Sequence, residues 1–250
     1  MLITQNSSPP LAELSDKTLL YANKIEKQFI LHDQGGIRLP VLQGMSLKID
    51  AGECVSLTGE SGAGKSTFMR SLYGNYGIDR GEIWVKHEQS WVDLPHLEPH
   101  EIIAVRHKTI GYVSQFLRVI PRVPALDIAA EPLLELGIDL EFAYEKVKQL
   151  FARLNLPERL WQLSPTTFSG GEKQRINLVR ALAVDYPILL LDETTSALDG
   201  KNRQIAIELL AERKAKGVAL IGIFHDREVR DRLCDRELLF QRINSNLQSD

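Results

Sequence analysis

An α/β fold around a parallel sheet is what this sequence predicts. Three observations point to it: a glycine-rich turn between a strand and a helix, an apolar strand that stops at two acids, and a second helix start opened by glycines. The turn is GESGAGKS, Gly59 to Ser66, which matches G-x-x-x-x-G-K-[ST] at every specified position. Cys54 to Leu57 reads as a short buried strand leading in, and Thr67 to Tyr73 reads as a helix leading out. Gly59, Gly62 and Gly64 let the backbone curl until its N–H groups face inward, and the helix start that follows adds partial positive charge. With Glu60, Ser61, Ala63 and Thr67 they make a candidate cradle for the phosphates of a nucleoside triphosphate. Lys65 is placed to reach the β and γ phosphates, and Ser66 to set its hydroxyl on Mg²⁺.

This motif alone leaves the fold and task open among kinases, GTPases, motors and transporter ATPases. The run Ile188 to Leu191, opened by Pro187, suits a strand buried on both faces of a parallel sheet and stops at Asp192 and Glu193. Acids at that edge lie where open α/β sheets bind ligands. Asp192 is placed to hold Mg²⁺, and Glu193 to orient or deprotonate an attacking water. Without the upstream turn, the same residues would read as an ordinary polar strand end.

The third observation is FSGGEKQR, Phe168 to Arg175. Ser169 and Glu172 fit the S-x-x-E capping box, and Gly170 and Gly171 suit a turn, so the segment reads as a helix start with exposed backbone donors. It resembles the signature of ATP-binding cassette (ABC) ATPases. That resemblance implies a RecA-like core, an antiparallel β subdomain and a helical subdomain carrying the signature. It also implies ATP and Mg²⁺ as ligands, with Ser169, Gly170, Gly171 and Glu172 completing the γ-phosphate site of a second cassette in a head-to-tail dimer.

Other segments resemble the family's motifs in the expected order. Gln115, after the strand-like Ile110 to Val113, resembles the Q-loop glutamine, which contacts Mg²⁺ and the lytic water. Ser196 to Asp199 resembles the D-loop crossing the dimer interface; alone it would be an uncapped acidic loop. His225, ending the run Ala219 to Phe224, resembles the switch histidine that hydrogen-bonds the γ phosphate. Phe29 sits where an aromatic stacks on adenine in the family, though core packing would suit it equally. Two residues depart from the pattern. Glu172 replaces the commoner Gln and brings negative charge to an anion site, and Thr194 replaces the commoner Pro after the catalytic Glu.

The remaining elements follow from patterning. Leu19 to Ile49 suggests antiparallel strands joined by a turn at His32 to Gly36, and Gly81 to Leu94 a hairpin whose Trp84 and Trp91 belong to the core. From Ala125 to Leu163 the pattern is helical, with Leu140, Ala143, Val147, Leu150, Phe151 and Leu154 on one face and Gly137 and Pro157 as breaks. His87, His96 and His100 lack the i, i+4 spacing of a helical metal pair. The expected organisation is a flexible extension over 1–17, one nucleotide-binding domain over 18–240 with its helical subdomain at about 116–168, and a polar tail over 241–250 that leaves no room for a regulatory domain.

At 250 residues, 44% hydrophobic and 25% charged, the chain can bury a sizeable core. Its net charge of −3 gives no general attraction to nucleic acid. No apolar run approaches the length of a membrane span, the N-terminus lacks a secretory pattern, and Cys54 and Cys234 are too few and too far apart for a disulfide framework. A reducing, cytoplasmic setting is the expectation.

Segments outside the motifs narrow the resemblance: Met69 to Tyr76, Val113 to Asp127, Leu154 to Glu172 and Gly222 to Asp226 are similar to the PhnL family, the L subunits of the bacterial carbon–phosphorus lyase system. The similarity spans residues 18 to 240. It implies a part in converting an alkylphosphonate to ribose 1-phosphonate 5-triphosphate, with soluble lyase subunits and a second cassette, its own copy or a sister, as partners. Two other readings stand beside it: a cassette that drives a membrane permease, as in lipoprotein-release or efflux exporters, and an ATP-dependent clamp, against which Glu193 argues. The segment after Gln115, with Phe116, Leu117, Val119 and Ile120 beside Arg118 and Arg122, and with Pro121 and Pro124 opposing a helix, is an exposed docking loop or a part of the helical lobe's interior.

Overall fold

Strands that are apolar at every position need cover on both faces, and the chain supplies it with two separate cores. The computed structural model describes residue 9 and residues 14–31, 36–117 and 119–243. Most of the expected 1–17 extension, residues 32–35 of the turn expected at His32 to Gly36, Arg118 and the tail beyond 243 lie outside the described residues.

The chain begins with β1 (Thr18–Leu31) and β2 (Ile37–Asp50), an antiparallel pair. Then come β3 (Cys54–Gly59), α1 (Lys65–Leu72), β4 (Arg80–His87), β5 (Ser90–Asp93), α2 (Pro99–Lys108) and β6 (Ile110–Val113). The helical lobe follows as α3 (Ala125–Glu135) and α4 (Leu140–Arg153), succeeded by α5 (Gly170–Leu182), β7 (Ile188–Asp192), α6 (Gly200–Ala215), β8 (Ala219–Ile223), α7 (Arg227–Leu233) and β9 (Arg236–Phe240). One sheet is antiparallel in the order β2-β1-β4-β5, and the other is parallel in the order β6-β7-β8-β3-β9.

The period-2 alternation of the parallel strands divides their side chains between the cores. Ile188 and Leu190 of β7, Val55 and Leu57 of β3, and Ala219, Ile221 and Ile223 of β8 join α1 and the antiparallel sheet in one core. Leu189 and Leu191, Cys54 and Leu220 face the other way, into a core shared with α3 to α6. The functional edge of the sheet is therefore clamped from both sides.

Three expectations are corrected. In α4, Ala143, Val147 and Phe151 are buried, followed by Leu154, but Leu150 is only partly buried. Leu140 is 48% exposed; its azimuth is right, yet as the first residue of the helix it projects past the packed face. Trp84 is buried as expected, whereas Trp91 is only half-buried. Cys54 and Cys234 are distant in sequence only. Because β9 adds in parallel to β3, their free thiols meet with sulfurs 3.5 Å apart.

Phe151 is fully buried, with its ring centroid 5.8 Å from that of Trp161. Phe151→Ala is expected to destabilise the protein by about 3–5 kcal/mol in urea unfolding, the cost of a large aromatic cavity.

Candidate functional site

The glycine-rich turn leaves β3 at Gly59 and enters α1 at Lys65. Gly59 has φ +133°, and a Cβ there would lie 2.2 Å from the Phe240 carbonyl oxygen of β9. Gly64 has φ +96°, and its Cβ would lie 2.6 Å from the Val41 carbonyl oxygen of β2. Only glycine satisfies both conditions at these positions. As the N-cap of α1, Gly64 brings no side-chain acceptor to the first-turn N–H groups, which fits an anion at that helix end. Lys65 is 8% exposed, and its ammonium donates to the carbonyls of Gly59 and Glu60, both at 2.7 Å. Glu60, Ser61 and Gly62 are exposed on the turn, Ala63 is buried, and Thr67 is half-buried in α1.

Opposite the turn, Asp192 ends β7 at 4% exposure. Ser66 Oγ donates to its Oδ1 at 3.3 Å, and Tyr112 Oη of β6 donates to its Oδ2 at 2.8 Å. Burial, followed by the Asp192 charge, pushes the Tyr112 phenol well above its ordinary range, so it remains a donor. Its ring stacks on Tyr73 at 5.0 Å, and the Arg106 guanidinium lies 4.8 Å from the Tyr73 centroid. Ser66 and Asp192 are hard oxygen ligands of the kind Mg²⁺ takes, in small number, when phosphates supply the rest. Among the described residues, no cluster of three His, Cys, Asp or Glu forms an all-protein metal cage.

The next residue turns away from this pair. Glu193 has φ +54°, a left-handed backbone that costs a non-glycine residue roughly 1–3 kcal/mol. It re-aims the side chain so that Gln115 Nε2 donates to Oε2 at 2.9 Å and His225 Nε2 donates to Oε1 at 2.9 Å. Gln115 follows β6 and His225 follows β8, the two strands flanking β7, so the three residues singled out as catalytic candidates meet on one carboxylate. An open cavity of about 320 Å³ lies beside them, bordered by Glu193, His225 and Ser196. Thr194, in place of the commoner proline, is fully buried, and its hydroxyl has no hydrogen-bond partner among the described residues.

The second glycine-rich helix start forms the capping box read from its sequence. Ser169 N and Ser169 Oγ each donate to Glu172 Oε2 at 2.8 Å, and Glu172 N donates to Ser169 Oγ at 3.3 Å. Gly170 has open space about it, while a Cβ on Gly171 would lie 2.9 Å from the Ala197 carbonyl oxygen. Among the described residues, no hydrogen bond joins this end of α5 to the turn at 59–67. Asp199 is not in an uncapped loop: it caps α6, accepting from Asn202 N at 2.9 Å and Asn202 Nδ2 at 2.8 Å. Phe29 joins neither core; its half-buried ring meets Tyr76 edge-on at 5.5 Å, with Lys27 Nζ also 5.5 Å from its centroid.

Tyr112 escaped the sequence reading. Residues 110 and 112 share a face of β6, as 188, 190 and 192 do of β7, but the register Tyr112↔Leu190 that brings phenol and carboxylate together is not legible in either segment alone.

Residues 42–196 match the family model described as ABC transporter. The chain belongs to that family. It is 32% identical over 239 residues to the lipoprotein-releasing system ATP-binding protein LolD of Coxiella burnetii, covering 95% of this chain and 98% of that protein. It is 34% identical over 229 residues to the macrolide export ATP-binding/permease protein MacB of Hyphomonas neptunium, covering 89% of this chain but only 32% of that longer protein. Among solved structures, the ADP- and Pi-bound dimer of the cassette MJ0796 superposes with a TM-score of 0.81 at 26% identity, covering 89% of this chain and 94% of that one. The protein is thus an ABC-type ATPase, with the RecA-like core, antiparallel β sheet and helical lobe of that fold. No helix among the described residues is long and apolar enough to cross a membrane.

The capping box predicts a pH signature. Hydrogen bonds from the Ser169 backbone, then from its hydroxyl, hold the Glu172 carboxyl below its ordinary 4.5. Its contribution to stability is therefore complete above about pH 4.5 and is lost as pH falls through the lower folded value. Glu172→Gln keeps a capping partner but no charge, so its melting temperature should fall less than wild type between about pH 5 and pH 3.

Proposed function

We propose that this chain is the ATP-hydrolysing subunit of a cytoplasmic, soluble assembly of the carbon–phosphorus lyase kind, working as a head-to-tail pair with its own copy or a sister cassette. The observation that carries the hydrolytic part is the convergence of Gln115 and His225 on Glu193, one residue beyond the Ser66–Asp192 pair. In this reading Gly59 to Thr67 hold the triphosphate, Phe29 faces adenine, and Ser66, Asp192 and Gln115 hold Mg²⁺. Ser169 to Glu172 and Asp199 meet the partner's nucleotide. The catalytic unit is residues 18–240, with residues 116–168 forming the lobe that meets the partner.

Mg²⁺, when bound, would neutralise charge on the β and γ phosphates. Glu193 accepts a proton from the attacking water as the water oxygen bonds to the γ phosphorus and the β–γ bridging P–O bond breaks, leaving ADP and phosphate. The N–H donors of Gln115 and His225 fix the Glu193 carboxylate, while each of its oxygens keeps a lone pair for water. Lys65, already held at the mouth of the turn, is positioned for the γ oxygens.

The lyase assignment is supported by the likeness of Met69 to Tyr76, Val113 to Asp127, Leu154 to Glu172 and Gly222 to Asp226 to the PhnL family. A second reading, a cassette that drives a membrane permease, is favoured by the likeness to a lipoprotein-releasing protein along nearly its whole length. Both readings use the segment after Gln115 as the docking surface. Phe116 is 77% exposed and Ile120 47% exposed, while Leu117 and Val123 pack into the helical core.

Glu193→Gln should lower ATP turnover by at least about 100-fold and trap the ATP-bound pair. Tagged and recovered from phosphonate-grown cells, this variant is expected to bring soluble lyase subunits with it; recovery of an integral membrane protein instead would overturn the lyase reading in favour of the permease. Lys65→Ala should abolish ATP turnover, and unchanged phosphate release by that variant would remove the triphosphate site from this turn.

A further inference from the structure

The chain has two cysteines, separated by 180 positions, and the fold brings them together. Cys54 opens β3 and is fully buried; Cys234 lies between α7 and β9 and is half-buried. The Cys54 thiol donates to Cys234 Sγ across 3.5 Å. The backbone around them is fastened independently of the sulfurs. Cys54 N donates to Asp235 Oδ2 at 2.8 Å, and Asp235 N donates to the Cys54 carbonyl at 2.9 Å. Lys214 Nζ donates to the Leu233 carbonyl at 2.9 Å and to Asp235 Oδ1 at 2.8 Å, placing a cation beside Cys234.

Neighbouring strands run about 4.8 Å apart, and an offset of one residue adds about 3.3 Å along them, roughly 6 Å in all, within the roughly 4.4–6.8 Å between α-carbons that a disulfide spans. Val55 pairs with Arg236, so Cys54 stands opposite Asp235, one residue from Cys234. Bond formation needs the sulfurs to approach by about 1.5 Å, within reach of side-chain torsions. The hydrogen bond from Cys54, aided by Lys214, brings the Cys234 thiol below the ordinary cysteine range, while the same bond and burial push Cys54 above it. The more acidic thiol is also the more accessible one, as expected of the sulfur an oxidant meets first.

We propose that Cys54 and Cys234 form a reversible intramolecular disulfide with a hydroperoxide as oxidant, Cys234 reacting first and Cys54 resolving. The Cys234 thiol loses its proton, and its sulfur bonds to one oxygen of hydrogen peroxide as the O–O bond breaks; the released hydroxide takes that proton and leaves as water. Cys54 sulfur then attacks the sulfur of the Cys234 sulfenic acid, the S–O bond breaks, and hydroxide leaves as a second water with the Cys54 proton. Two thiols are oxidised and one peroxide is reduced to two waters. The bridge lies at the end of β3 opposite the phosphate turn, so it leaves ATP turnover intact while protecting Cys234 from overoxidation and tying β9 to the sheet.

The test uses the full chain, purified reduced and treated with equimolar hydrogen peroxide. A mass loss of about 2 Da, a single Cys54–Cys234 cross-linked peptide, reversal by dithiothreitol and a melting temperature raised by roughly 5–10 °C are expected. Cys54→Ser should instead accumulate about 16 Da of added oxygen at Cys234 and show no rise in melting temperature. Should that variant fold poorly, Cys234→Ser must show no mass loss and no stabilisation. The proposal is overturned if wild-type protein keeps both thiols under excess peroxide, or gains oxygen at Cys234 without a cross-linked peptide. Because none of these readouts involves ATP, the test stands apart from the assignment of the ATPase to any assembly.

Discussion

The arrangement depends on how a strand buried on both faces can end in two carboxylates. β7 has no polar side chain before Asp192, and its neighbours β6 and β8 add only the Tyr112 hydroxyl. Leaving a charged group unpaired at such an edge is costly, so every oxygen must find a donor. Asp192 takes Ser66 from the phosphate turn and Tyr112 from β6; Glu193 takes Gln115 from after β6 and His225 from after β8. Four donors from three separate stretches of chain are thus drawn to two adjacent residues. The satisfaction of these carboxylates and the assembly of the site are the same event.

The left-handed backbone at Glu193 separates the two acids. In an extended strand, successive side chains point to opposite faces, and one of the pair would be sent into a core. The turn at Glu193 lets both carboxylates remain at the edge with different partners, one facing the turn and the other the open cavity. Strain at this position is offset by the two hydrogen bonds the side chain gains.

Much of this was legible because the relevant signals are local. The glycine turn, the apolar run ending in Asp192 and Glu193, and the Ser169–Glu172 box each depend on residues within a few positions, and each forms the element its spacing predicts. What was not legible depends on strand order or register. Tyr112 reaches Asp192 only because β6 pairs with β7 in one particular register, and Cys54 meets Cys234 only because the last strand joins the edge beside β3. Leu140 failed for another reason: periodicity gives azimuth on a helix but not where the neighbouring surface stops. For Ser196 to Asp199 the resemblance to the D-loop says nothing of the cap, because nothing short-range distinguishes an acid in a loop from one whose acceptor oxygens already serve the next helix.

The glycine at position 64 has a consequence for how the two sheets relate. A Cβ there would lie 2.6 Å from the Val41 carbonyl oxygen of β2, so only a glycine backbone fits beside that strand, and β2 pairs with β1 next to Phe29, with Phe29 opposite Leu39. No spacer intervenes along this path, so the antiparallel sheet and the lysine-bearing bend form the jaws of a rigid caliper. Its opening is set by backbone against backbone, so a nucleotide held as proposed, with its base at Phe29 and its phosphates at the turn, would be gauged for length.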